Sequence, residues 1–212
     1  MTRVTLAALV ALSAFLATTE ARPSDVQARL TIFARPAVVA WAQSATVFGA
    51  ARGAGSQDVV TVQVRECGSS AFSTYAEAHL NAGGGWELPV GTAVTSTFRA
   101  RWRSSTSAPV TIRQAASVLL ARERAGRGFV VTAISKRSLW RKTVEIQRRT
   151  GGAWRTVRKM RLTDSVKSTG LVSASEARFR LAVPKGAVLR AVLPFAEARP
   201  CYVRSFSKVV RA

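Results

Sequence analysis

The sequence predicts an all-β chain built as two similar β-sandwich units, and three observations carry that expectation. One segment occurs twice: residues 61–80 (TVQVRECGSSAFSTYAEAHL) align without a gap on residues 143–162 (TVEIQRRTGGAWRTVRKMRL). The alignment pairs Val62 with Val144, Val64 with Ile146, Phe72 with Trp154, Thr74 with Thr156 and Leu80 with Leu162. Each copy reads as two strands around a turn of small residues, which implies duplication of one supersecondary unit. Strand signals also follow one another at short, regular spacing. Finally, no segment of useful length keeps its apolar residues at helical period.

The first residues read as a secretory signal, spanning 1–21. Arg3 is the basic start, residues 4–17 are an apolar run, and Thr19 and Ala21 occupy the small positions before a cut. That run is short of the roughly 20 residues a membrane span needs, so the expected mature chain begins near Arg22 and carries no transmembrane segment. Its remaining length of about 190 residues suits two domains each large enough to bury a core.

Candidate strands in the first half are residues 30–33, 44–50, 59–66, 72–80, 86–90, 97–102 and 109–113. Their separators are turn-formers such as Arg52-Gly53-Ala54-Gly55 and Asn81-Ala82-Gly83-Gly84-Gly85. The glycine run precedes a strand rather than a helix, so it reads as a hairpin turn and not a phosphate cradle. Phe98, Ala100 and Trp102 alternate with Arg99, Arg101 and Arg103, which places the first set inward and the arginines in water.

The second half repeats the order with residues 118–121, 128–133, 143–148, 154–162, 178–183, 188–193 and 206–210. Phe179, Leu181 and Val183 match Trp86, Leu88 and Val90, whereas residues 163–176, rich in Ser and Thr, read as a loop or an irregular edge strand. Between the halves, Gln114-Ala115-Ala116 is a joint with neither Pro nor a Gly/Ser tract, so the expected domains, 22–116 and 117–212, sit almost in contact.

Charge is divided unevenly. Residues 22–116 hold 9 Lys/Arg against 5 Asp/Glu, a net +4, while residues 117–212 hold 22 against 5, a net +17. Such a basic pole attracts anionic polymers with an affinity that falls as salt rises. Many of the basic residues fall at every second position, where a strand points them into water, so a solvated face is the competing account.

The segment Gln147-Arg148-Arg149-Thr150-Gly151-Gly152-Ala153-Trp154-Arg155-Thr156-Val157 resembles the tandem bacterial immunoglobulin-like repeats of secreted and surface proteins, of actinobacterial type. Seven short strands per unit agree with it, and Ala187 to Arg190 and Glu197 to Tyr202 fit the end of such a repeat. The resemblance implies two tandem immunoglobulin-like sandwiches and leaves the ligand open, because such repeats serve as spacers, adhesion modules and enzyme appendages.

The two cysteines, Cys67 and Cys201, leave three outcomes: a bridge, intermolecular pairing, or free thiols. In a seven-strand sandwich of this kind, the turn after the third strand lies at the exit end and the loop before the last strand at the entry end. Head-to-tail stacking therefore brings Cys67 of the first unit to Cys201 of the second, and the expectation is a bridge that staples the junction.

Little catalytic chemistry is available. His79 is the only histidine and sits in an alternating strand, and the acidic residues do not cluster in sequence. No catalytic, cofactor or metal site is expected, since one histidine and two separated cysteines cannot assemble a usual zinc set. Trp86, Trp102 and Trp154 occupy core-facing positions. Trp140 differs, because Lys136, Arg137, Arg141 and Lys142 flank it, and this patch is the candidate for an anionic ligand.

The function expected is therefore a non-catalytic exported structural or adhesion module, released or held non-covalently on the cell envelope. The alternative is a module that binds anionic envelope polymers or extracellular nucleic acid through its basic second domain. A surface protein is the other partner considered, and nucleic acid is the less favoured polyanion.

Overall fold

A computed structural model of the chain describes residues 30–123, 128–166 and 172–212. The expected signal segment, 1–21, and residues 22–29 after it lie outside the described residues.

In the first half β1 (Phe33–Arg35), β2 (Val38–Val39), β3 (Ser44–Ala50), β4 (Val59–Glu66), β5 (Ser73–His79), β6 (Gly85–Gly91), β7 (Ser96–Trp102), β8 (Ser105–Thr106) and β9 (Val110–Gln114) follow in order. They form a three-stranded sheet, β1-β3-β6, and a six-stranded sheet, β2-β9-β7-β4-β5, with β8 paired to β7. All pairings are antiparallel except β2 with β9. Alternation decides what is buried: Phe98, Ala100 and Trp102 of β7 point into the core, while Arg99 and Arg101 point out. Val47, Val60, Val62 and Ile112 complete the fully enclosed centre, each side chain worth about 1.5–3 kcal/mol of transfer free energy.

The second half contains β10 (Ser117–Arg122), β11 (Gly128–Ser135), β12 (Thr143–Thr150), β13 (Ala153–Arg161), β14 (Asp164–Val166), β15 (Ser173–Arg180), β16 (Val188–Leu193), the single helical turn α1 (Phe195–Ala198), β17 (Ser205–Phe206) and β18 (Val210–Arg211). Here the sheets are β10-β11-β15-β14 and β13-β12-β16-β17, with β18 also on β16. Their separate core is built on Val131, Ala133, Val144, Ile146, Leu162, Leu189, Ala191 and Leu193.

The two halves agree beyond topology. In β4–β5 the register shifts between Val62 and Gln63, and in β12–β13 between Ile146 and Gln147. Gln63 then pairs with Arg99 and accepts its Nε–H at 2.8 Å, as Gln147 pairs with Arg190 and accepts its Nε–H at 3.0 Å. Ser107 Oγ accepts the amide of Ala100 at 2.9 Å, and Ser207 Oγ accepts that of Ala191 at 2.8 Å.

These landmarks correct the gap-free alignment. Ile146 occupies the place of Val62, two residues later than the alignment has it, whereas in the return strand Thr156 still corresponds to Thr74 and Leu162 to Leu80. The difference is taken up in the turn, six residues between β4 and β5 but only Gly151-Gly152 between β12 and β13. Both glycines there have positive φ, which the tight turn requires.

Three further expectations change. The run Gly83-Gly84-Gly85 is not a hairpin turn, because β5 and β6 belong to different sheets and the segment crosses between them. Asn81 Oδ1 accepts the amides of Gly83 and Gly85, and Gly84, at φ +73°, lies so close to Ala51 O that a Cβ has no room. The strand expected at 178–183 instead spans Ser173–Arg180, leaving Leu181 and Val183 beyond its end; the Ser/Thr-rich stretch before it contributes β14, and residues 167–171 lie outside the described residues. The strand expected at 206–210 is broken into β17 and β18, because Ser207 turns its hydroxyl onto the backbone of Ala191 and Lys208.

Candidate functional site: the junction and the basic patch

The joint between the halves is an ordered contact. Cys67 follows β4 and Cys201 follows α1, and their sulfurs are bonded at 2.08 Å with Cα atoms 5.3 Å apart. The connection from β6 to β7 threads between them: Cys67 donates its amide to Thr95 O, and Thr95 donates its own to Cys201 O, both at 2.9 Å. Beside it Val94 is fully buried, and it packs in the second core although the chain places it in the first half.

Gln114, also fully buried, holds the joint itself. Its Oε1 accepts from Thr92 at 2.7 Å, its Nε2 donates to Ala115 O at 3.1 Å, and its carbonyl accepts the amide of Val203 at 2.9 Å. Ala115 and Val203 form a parallel bridge across the boundary. Two backbone bonds, Thr95 to Cys201 and Val203 to Gln114, cross the boundary beside the disulfide.

The candidate patch lies on the segment from the end of β11 to the start of β12. At the end of β11, Ser135 Oγ donates to Arg137 O at 2.7 Å and fixes the turn. Lys136 Nζ then meets Glu66 Oε2 of the first half at 2.6 Å. Arg137 Nη2 reaches Cys67 O at 3.4 Å and lies over Gly68. The amide of Arg137 donates to the hydroxyl of Tyr202 at 2.9 Å. Burial pushes the Tyr202 hydroxyl above its ordinary pKa, although its hydrogen bonds and the Arg137 charge pull the other way. Lys136 and Arg137 are thus committed to the junction.

Trp140 and Arg141 lie on the following loop, which Leu139 plugs into the core. The Trp140 indole donates to Thr163 O at 2.9 Å, and the Arg141 guanidinium stacks 4.0 Å from its ring centroid. Lys142 is half-buried at the start of β12. Lys136 and Arg137 thus contact the first half, while Trp140 and Arg141 contact Thr163 and each other.

Of the tryptophans, Trp86 and Trp102 are buried, but Trp154 is only half-buried and lies under Arg190, whose guanidinium is 4.2 Å from its ring centroid. Trp154 stands opposite Arg149 next to the β12–β13 turn, on the outer face, so the expectation of a core tryptophan is corrected there. His79 is an exposed residue of β5 opposite Val59. Among the described residues no three His, Cys, Asp or Glu side chains stand together as a metal site requires.

Sequence reasoning placed Gln114 in the joint but missed Val94, Thr95, Glu66 and Tyr202 as junction residues, because their roles depend on partners far away in the chain. It also missed the pairs Gln63–Arg99 and Gln147–Arg190, for which the two-residue offset between the copies was the missing signal.

No protein-family model matches the chain, and no curated protein matches it significantly. Among the described residues no helix is long and apolar enough to cross a membrane.

Proposed function

We propose that this chain is a non-catalytic, exported structural or adhesion module: two tandem immunoglobulin-like sandwiches, 22–116 and 117–212, locked end to end as a short rod. Strand order supports the sandwich reading. In the first half β1-β3-β6 faces β9-β7-β4-β5, and in the second β10-β11-β15-β14 faces a sheet in which β12 is flanked by β13 and β16, the arrangement of strands A-B-E and G-F-C-C′. The matched Gln–Arg and Ser–Ala hydrogen bonds support descent of both from one unit.

The observation that carries the mechanical part is the Cys67–Cys201 bond across the joint. It closes a loop of 134 residues, which the chain-entropy account values at about 5 kcal/mol as an upper figure. Such a bond persists in oxidising compartments, which supports export. A rod that presents one basic end at a fixed distance suits a spacer or adhesive element on the envelope.

The test is fractionation of the native host with a non-reduced tryptic digest of the recovered protein. The proposal expects processed protein in the medium or on the envelope, with a peptide joining Cys67 to Cys201. Unprocessed cytoplasmic protein with both thiols free contradicts it.

A further inference from the structure

The outer face of the sheet containing the repeated hairpin carries an arginine cluster in each half, and neither matches the loop patch. In the first half the guanidinium of Arg99 lies 4.1 Å and that of Arg65 4.8 Å from the ring centroid of Phe72. Arg99 is held in place by Nε–H to Gln63 Oε1 at 2.8 Å. In the second half Arg190 lies between Trp154, at 4.2 Å, and Phe206, at 4.7 Å, with its Nε–H on Gln147 Oε1 at 3.0 Å. Arg204 covers Phe206 at 5.1 Å, and Arg149 stands opposite Trp154 in the β12–β13 register.

Among the described residues none of Arg65, Arg99, Arg149, Arg190 and Arg204 forms an ion pair. Among the described residues Arg99 and Arg190 each spend only Nε, which leaves the two Nη groups for another acceptor. Glu145 lies beside the second cluster but is held by Gln147 Nε2 at 3.2 Å and Thr156 Oγ1 at 3.0 Å, not by an arginine. Gathering like charges without an ion-pair partner costs electrostatic free energy that an anion recovers. In keeping with this, burial and then the charge of Arg204 lower the pKa of Arg190.

We propose that these two clusters, Arg65/Arg99 on Phe72 and Arg149/Arg190/Arg204 on Trp154 and Phe206, are equivalent binding sites for a linear glycan or polyol polymer joined by phosphodiesters. Planar guanidinium groups fixed on aromatic rings present paired N–H donors that match phosphate oxygens. The same stacking argues against single-stranded nucleic acid as the intended occupant. Arginines already cover Phe72, Trp154 and Phe206, so these rings do not offer the open faces on which bases stack. This inference goes beyond the structural role above and stands without it.

The experiment uses the oxidised mature chain, 22–212, and two probes of equal phosphate count: poly(glycerol phosphate) and single-stranded DNA, each of about 30 phosphates, titrated at about 50 mM salt and again at a few hundred millimolar. The expected result is tighter binding of poly(glycerol phosphate) than of DNA, lost at the higher salt. The variant with Arg65, Arg99, Arg190 and Arg204 all changed to Gln loses more than tenfold in affinity, and R141Q with K142Q changes it less than twofold. Because Arg99 and Arg190 also pack, Arg65→Gln with Arg204→Gln, both exposed, serves as a second variant and is expected to lose at least threefold with an unchanged circular dichroism spectrum. DNA bound as tightly as the polyol polymer, an equal loss from the Arg141/Lys142 variant, or affinities within twofold for both arginine variants overturns the proposal.

Discussion

Replacing Val94 with alanine should weaken the second half of the molecule, although the residue belongs by sequence to the first. Val94 is fully buried on the β6–β7 connection and packs with the core of Val118, Leu139, Val144 and Leu193. Two methyl groups are worth about 1.6 kcal/mol of transfer free energy at about 0.8 kcal/mol per carbon. The cavity left between fixed neighbours adds about 1 kcal/mol, because the connection is pinned by Thr95 to Cys67 and Cys201 and cannot collapse into the space. The sum, about 2–3 kcal/mol, should appear in native-state hydrogen exchange as faster exchange of amides in β11, β12 and β16. Amides of β3 and β4, packed in the other core, should keep their protection. If the loss is confined to β3 and β4, or is below about 0.5 kcal/mol everywhere, Val94 is not part of the second core and the junction argument fails.

Other consequences are open to measurement. Ser107→Ala and Ser207→Ala each leave a buried amide, of Ala100 or Ala191, without its hydroxyl acceptor, so each should cost about 1–3 kcal/mol by urea denaturation, with the two values alike; a large cost at only one site would deny their equivalence. Tyr202 titrates above its ordinary pKa in the folded protein, so the unfolded chain loses that proton first. Its contribution is intact below about pH 10 and drains away as pH rises through the folded value. The melting temperature should fall more steeply above pH 10 in the parent than in Tyr202→Phe, and parallel profiles would refute the assignment. Exchanging both Cys67 and Cys201 for serine should lower stability by up to about 5 kcal/mol, and no change under denaturant would show that the bond closes no unfolded-state loop.

Much of the fold was legible because a strand announces itself locally. The bounds of β3, β4 and β16 coincide with the apolar alternation read from the sequence, β7 differs from it by one residue at one end, and β5, β10 and β13 differ by one residue at each end. The errors arise where period-two alternation carries no information. A two-residue slip moves no side chain to the other face, so pairing Val62 with Val144 satisfies the pattern as well as pairing it with Ile146; only the bulge and the Gln–Arg bonds separate them. Trp154 looked internal because alternation was counted straight through β13, whereas the register shift reverses the faces there. The polar run Ser173-Ala174-Ser175-Glu176 hid the start of β15, whose inward Ser175 is small enough to be buried without an apolar surface.

The junction was half legible. The pairing of Cys67 with Cys201 follows from placing two loops at facing ends, an argument about topology that needs no side-chain detail. The remainder does not follow, because Val94 and Tyr202 fall between the strands read from the sequence and nothing in the sequence names the partners of Gln114. Likewise the contacts of Lys136 with Glu66 and of Arg137 with Cys67 could not be read from the basic cluster around Trp140, because both partners lie about 70 residues earlier in the chain.

The most direct test of the locked junction is a distance distribution between spin labels on unnatural residues replacing the exposed Arg52 and Lys185, one in each half. Electron–electron resonance of the oxidised protein should give one narrow distance, broadening only when Cys67 and Cys201 are replaced. A broad or multiple distribution in the intact protein would contradict the account.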